Sequence, residues 1–159
     1  MKSPFNILIL IPHGGYRVPS ELAEYVLINE FELFINADSC ANELFAFNGV
    51  HTIINTDISR LFIDVDRDHT EVPPEHLDGV IKIYTNNEKH IYQDKTFPDE
   101  MAITNIFKRY YSPFHEYILR TLRTEDIKLI IECHTVNSVG PAMARDAGKV
   151  RPIIELEYK

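Results

Sequence analysis

Ile130-Ile131-Glu132-Cys133-His134-Thr135 decides the fold: a run of β-branched residues ends abruptly in a carboxylate and an imidazole. Leu8-Ile9-Leu10-Ile11 does the same near the other end of the chain, running into Pro12-His13-Gly14-Gly15. Runs apolar at successive positions suit strands covered on both faces, as in parallel sheets flanked by helices. In an open α/β sheet, ligands bind outside the carboxyl ends of the strands. Two histidines delivered to that edge could share one metal ion.

Composition bounds the rest. A chain of 159 residues, 45% hydrophobic, is long enough for one packed core and short for two, so one domain over 1–159 is expected. A formal net charge of −8 argues against a broad phosphate-binding surface, so nucleic acid is not an expected partner. No apolar run approaches the ~20 residues needed to span a bilayer, and Lys2 precedes a short strand rather than a signal sequence. These features point to a soluble cytoplasmic protein without a membrane partner. Cys40 and Cys133 are too few for a disulfide framework and read as buried thiols.

Strands are expected at Phe5 to Ile11, Val50 to Ile54, Ile127 to Ile131 and Val150 to Leu156. Asp38 and Ser39 offer cap oxygens, Leu44, Phe45 and Phe47 an apolar face and Gly49 a stop, predicting a helix over about 38–48. Ile103, Ile106, Phe107, Tyr110, Phe114, Tyr117 and Ile118 recur at helical spacing after Pro98-Asp99-Glu100, with Pro113 expected to kink that crossover helix. The stretch from Asp68 to Pro98 shows no period and reads as a long loop, a candidate lid, in which Tyr84, Tyr92 and Phe97 could line a pocket or a dimer contact.

Candidate chemistry follows from these positions. The two glycines after His13 let a ligand approach the backbone, although a tight turn with a solvated histidine has the same signature. Alternation puts Glu132 and His134 on one face of a strand, where the carboxylate can join a metal shell or orient the ring. Catalytic zinc takes about three protein ligands, and the leading third is Asp38, whose other role would be to cap a helix. Arg60 and Arg67 stand among Asp57, Asp64, Asp66 and Asp68, as forks for a substrate carboxylate or as members of a surface ion-pair network. Glu155 and Glu157 share a strand face, and either could be a general base or a solvated strand end.

Five segments, in order, resemble the N-formylglutamate amidohydrolase family. Pro12-His13-Gly14-Gly15 resembles its Pro-His-Ser-Gly motif, and Ser59 through Arg67 its Ser-Arg-x-x-x-Asp-x-Asn-Arg motif. Tyr110-Tyr111-Ser112-Pro113-Phe114-His115 is similar to Tyr-x-x-Pro-Tyr-His, Glu132 through Thr135 to Asp-x-His-Ser, and Ile154-Glu155-Leu156 to a late strand carrying a glutamate. The resemblance implies a three-layer α/β/α fold with a mostly parallel sheet, like that of zinc-dependent exopeptidases. It also implies hydrolysis of a small, anionic N-acyl amino acid at a zinc or similar centre. His13, Asp38 and His134 would be the metal ligands and Glu155 the base. Arg67 and Arg60 would bind the substrate carboxylate, beside Asp66 and Thr135. Gly14, Asp66 and Thr135 replace the family's serine, asparagine and serine. A carboxylate at position 66 would repel an anion or change which acid is accepted. Two further classes stay open: a carboxylate-binding module that has lost its chemistry, and a structural protein whose histidines decorate a sheet edge.

Overall fold

The computed structural model describes residues 5–93, 98–142 and 144–157. Strands β1 (Phe5–Ile11), β2 (Val50–Asn55) and β3 (Leu129–Glu132) form a parallel sheet in the order β2-β1-β3. Because side chains alternate along β1, it feeds two cores. Leu8 and Leu10 pack with Ile54, Val65, Phe114 and Ile118, while Ile7, Ile9 and Ile11 pack with Ala41, Phe45, Ile53 and Cys133. Helix α2 (Ala41–Leu44) lies on the second face and α4 (Ser112–Thr124) on the first, which makes the three layers.

Helix α1 (Glu30–Asn36) was not legible as a period, but its start has a local cause. The Asn29 side chain accepts a hydrogen bond from the Glu32 amide at 3.0 Å, satisfying a donor that the first helical turn leaves free. Helix α3 (Glu100–Ile106) begins at Asp99, whose carboxylate accepts from the Ala102 amide at 2.7 Å. The expected kink at Pro113 takes the form of a π-helical turn, Phe107–Tyr111, between α3 and α4. Proline has no N–H for residue 109, and the widened turn before it absorbs the missing bond. The extra residue rotates the helix, so Ile106 and Phe107 face one core while Phe114 and Ile118 face another.

The largest core lies off the sheet. Leu22, Ile28, Leu33, Ile58, Leu61, Phe62, Ile63, Val80, Ile81, Ile91, Tyr92 and Ile106 cluster beyond the strands' C-terminal edge. The described part of the 68–98 stretch, residues 68–93, is anchored rather than detached: Val80, Ile81, Ile91 and Tyr92 are buried. Tyr92 belongs to this core, and Phe97 lies outside the described residues.

Three expectations need correction. The helix over 38–48 shrinks to α2, because Cys40 enters it with a left-handed φ of 62°, and Cys40 is exposed rather than buried. Val150 to Leu156 is not a strand. Val150 bridges Val139, Arg151 is tied to Ser138 and Asp146, and Pro152 has no amide to donate to a ladder. Ile153, Ile154 and Leu156 consequently stand in solvent. Among the described residues, no helix is long and apolar enough to cross a membrane.

Candidate active site

The end of β1 is fixed by its neighbours. A Cβ on Gly15 would lie 2.3 Å from the Asp57 backbone, so only glycine permits this close passage, and the Arg17 amide then bonds the Asp57 carbonyl at 2.9 Å. The Asp38 amide donates to the His13 carbonyl at 2.9 Å, holding the 37–40 turn against His13. Because α2 starts at Ala41 with Cys40 as its unassisted cap, the Asp38 carboxylate is not spent on a helix. It turns to two imidazoles. His134 Nδ1 lies 2.9 Å from Asp38 Oδ2 and His13 Nδ1 3.7 Å from it, with ring centroids 4.9 Å apart.

Each imidazole is held from behind by a second carboxylate. His13 Nε2 donates to Asp64 Oδ1 at 2.7 Å, and His134 Nε2 donates to Glu132 Oε1 at 2.8 Å. The charged carboxylate of Asp64 only accepts, so the proton of His13 sits on Nε2 and its Nδ1 presents a lone pair, onto which Arg60 points an N–H at 3.1 Å. One ligand atom each from His13, Asp38 and His134 lies within 4.8 Å of the others, two imidazole nitrogens and a carboxylate oxygen. That donor set suits a catalytic zinc ion, and carboxylates on the far ring nitrogens are the usual outer support of such sites.

Asp64 is fully buried and is the hub of the site. Besides His13 it accepts from Arg60 at 2.9 Å and from the Asp66 amide at 3.1 Å, and Lys82 Nζ stands 3.2 Å away. Burial opposes its charge, yet Arg60, His13 and Lys82 outweigh that cost and hold it well below the usual carboxylate range. Burial likewise works against ionised Asp38, but the two imidazoles bring it down to about 2. His134 resists burial in the same way, and bonds to Asp38 and Glu132 raise it to about 9. Desolvation and the facing Glu132 carboxylate push the Asp66 carboxyl up.

The other residues named from sequence divide. Arg67 donates to Asp78 at 2.8 Å and lines a cavity of about 350 Å³ with Leu10, Asp66, Phe114, His115 and Glu132. Its Nε and the Nε2 of His115 are buried without a hydrogen-bond partner. Asp66 and Glu132 bring carboxylate oxygens within 4.8 Å of a His134 nitrogen. Thr135 instead spends its hydroxyl on the Ser39 carbonyl at 3.2 Å, bracing the end of β3. Glu155 lies on the exposed tail, where Arg151 feels its charge; among the described residues no hydrogen bond or ion pair links it to the histidines.

Sequence reasoning left Asp64 among four interchangeable acids and passed over Lys82. Spacing alone separates neither, since what distinguishes them is burial in a core built from distant loops.

The fold is similar to that of N-formylglutamate amidohydrolase from Ralstonia eutropha JMP134, with a TM-score of 0.67 and 16% identity over 83% of this chain. That match takes in 53% of the other protein, so the chain spans about half its length. No curated protein sequence matches the chain. The sequence model of the family described as N-formylglutamate amidohydrolase matches residues 5–156, a span that holds β1 through β3 and every residue of the His13 cluster. By that match the chain belongs to the N-formylglutamate amidohydrolase family.

Proposed function

We propose that the protein is a metal-dependent amidohydrolase that cleaves the amide of a small, anionic N-acyl amino acid such as N-formylglutamate. The observation that carries this reading is the facing of His13, Asp38 and His134, with Asp64 and Glu132 fixing the rings from behind. A divalent ion held there, zinc first among candidates, supplies Lewis-acid polarisation of the amide carbonyl and a water acidic enough to react near neutral pH. His13 and His134 both turn Nδ1 toward Asp38, and His134 must release the Nδ1 proton it shares with that carboxylate.

The cavity beside the cluster seats the substrate in this reading. Arg67, with Nε unengaged, meets the carboxylate. Asp66 and Glu132 are better placed than Glu155 to take a proton from water and return it to the leaving amine, because they adjoin His134 and burial with the facing Glu132 pushes the Asp66 carboxyl up. Two unpaired thiols, Cys40 and Cys133, accord with a reducing, cytoplasmic setting.

A specific observation favours a second reading, a module that binds carboxylates without cleaving them. Arg60 points an N–H at the His13 lone pair that a metal would need. Turnover across a panel of N-acyl amino acids, measured with zinc supplied, separates the two. Hydrolysis lost in both His13→Ala and Asp66→Asn is expected; binding of the panel without any hydrolysis would leave the module.

A further inference from the structure

Lys82 is a buried cation that the proposed chemistry does not use. Its side chain is 2% exposed, and its ammonium meets three oxygens: Asp78 Oδ1 at 2.6 Å, Gly79 O at 3.2 Å and Asp64 Oδ2 at 3.2 Å. The turn that carries it is built tightly. A Cβ on Gly79 would lie 1.9 Å from the Glu71 carbonyl, Asp78 and Lys82 form an antiparallel bridge, and the Asp64 amide donates to the Val80 carbonyl at 2.8 Å. Asp64 is thus tied to this turn by backbone and side chain together.

An ion pair buried this deeply is a poor way to gain stability, since apolar residues of similar volume generally serve as well. Its placement explains more. From Lys82 one branch runs through Asp64 to His13 Nε2, and the other runs through Asp78, whose second oxygen accepts from Arg67 at 2.8 Å. One ammonium therefore sets the carboxylate that orients a ring of the proposed metal cluster and the carboxylate that holds the arginine of the adjoining cavity. We propose that Lys82 is a positioning residue that keeps His13 and Arg67 in register with each other through Asp64 and Asp78. This rests on the metal-site reading for its consequence, though the coupling itself belongs to the protein alone.

The test compares wild type with Lys82→Met, Asp64→Asn and the double variant, by zinc affinity in competition with an indicator and by the ring ¹⁵N shifts of His13 in metal-free protein. Lys82→Met is expected to weaken zinc by about 10- to 100-fold, as loss of outer support does, and to move the His13 ring signals. In the Asp64→Asn background the same change should add under about 2-fold, because the path through Asp64 is already cut. Independent, additive losses would mark Lys82 as structural only and overturn the proposal, as would unchanged zinc affinity and ring signals in Lys82→Met. If Lys82→Met does not fold, Asp78→Asn decides: its partner oxygen is at the surface, and it should lower the affinity of the cavity for glutarate and shift the His13 ring, whereas no change in either contradicts the coupling. Wild type that binds no zinc would sink the metal reading, and the metal-free ring signals would still judge Lys82.

Discussion

The end of β1 and the tail after β3 differ in how they satisfy their groups. Around His13, three carboxylates, two imidazoles, Arg60 and Lys82 interlock, with His13, Asp38, Asp64 and Lys82 buried and Glu132 and His134 open on one side, each fixed by at least one short polar contact. After Thr135, Val136, Val139, Val150, Ile153, Ile154 and Leu156 are exposed, and local bonds such as Arg151 with Asp146 at 2.7 Å do the holding. The apolar residues of β3 itself, Leu129, Ile130 and Ile131, are also open to solvent on both faces of the strand. The lesson is that the site's order comes from the loop-built core and β1, and owes little to the chain that follows His134.

The sharpest break of that contrast is Asp64→Ala. It strands Lys82 and Arg60 near a buried void, and should cost about 3–5 kcal/mol in urea unfolding; a loss under about 1 kcal/mol would show that the hub is not a hub. Next comes pH. In metal-free protein His134 is raised above its unfolded value, so its contribution is whole below about pH 6.5 and fades as pH climbs through about 9. Unfolding followed from pH 6 to 10 should lose on the order of 1–3 kcal/mol across that window, and His134→Gln should flatten the slope. A stability that rises over the same range would refute the pairing with Asp38 and Glu132. Zinc should also bind more tightly across that window, with release of a proton.

Asn29→Ala sharpens the comparison at a smaller scale. Loss of the cap on α1 should cost about 1 kcal/mol, since Leu33 of that helix is buried in the large core, and a neutral result would detach α1 from it. Smallest of all is Ile153→Asp in the tail, expected to stay within about 0.5 kcal/mol of wild type because the side chain already faces water. A large loss there would mean that the tail packs against the rest in solution.

Much of this was legible in the residues themselves. The continuous apolar run at Phe5–Ile11 gave away a parallel sheet, since strands covered on both faces read so. The run before Glu132 joins that sheet as expected, but Leu129, Ile130 and Ile131 are exposed, so the burial on both faces expected there does not hold. The recurring apolar positions through Phe114 and Ile118 likewise revealed the crossover helix, and Pro113 its irregularity. Alternation placed Cys133 apart from Glu132 and His134, and Cys133 is indeed packed with Ile9 and Ile11. The reading failed where a partner distant in sequence decides. Ile153 to Glu157 alternates like a strand, yet alternation forms no ladder without a neighbour to bond. For Asp38, named both as leading third ligand and as a possible helix cap, only the fold decides, because nothing nearby in sequence reveals that His134 faces it across 96 residues. Lys82 carries no signal of its own within the aperiodic 68–98 stretch, and only the fold closes Asp64 and Asp78 around it.

The most direct test of the central claim is the zinc content of chain purified without a histidine tag and equilibrated with the metal, beside His13→Ala, Asp38→Ala and His134→Ala. The account predicts one ion per chain in the parent and none retained in the three variants, each of which keeps its fold by circular dichroism. A parent that holds no zinc, or variants that hold as much as the parent, would contradict the metal centre proposed at the end of β1.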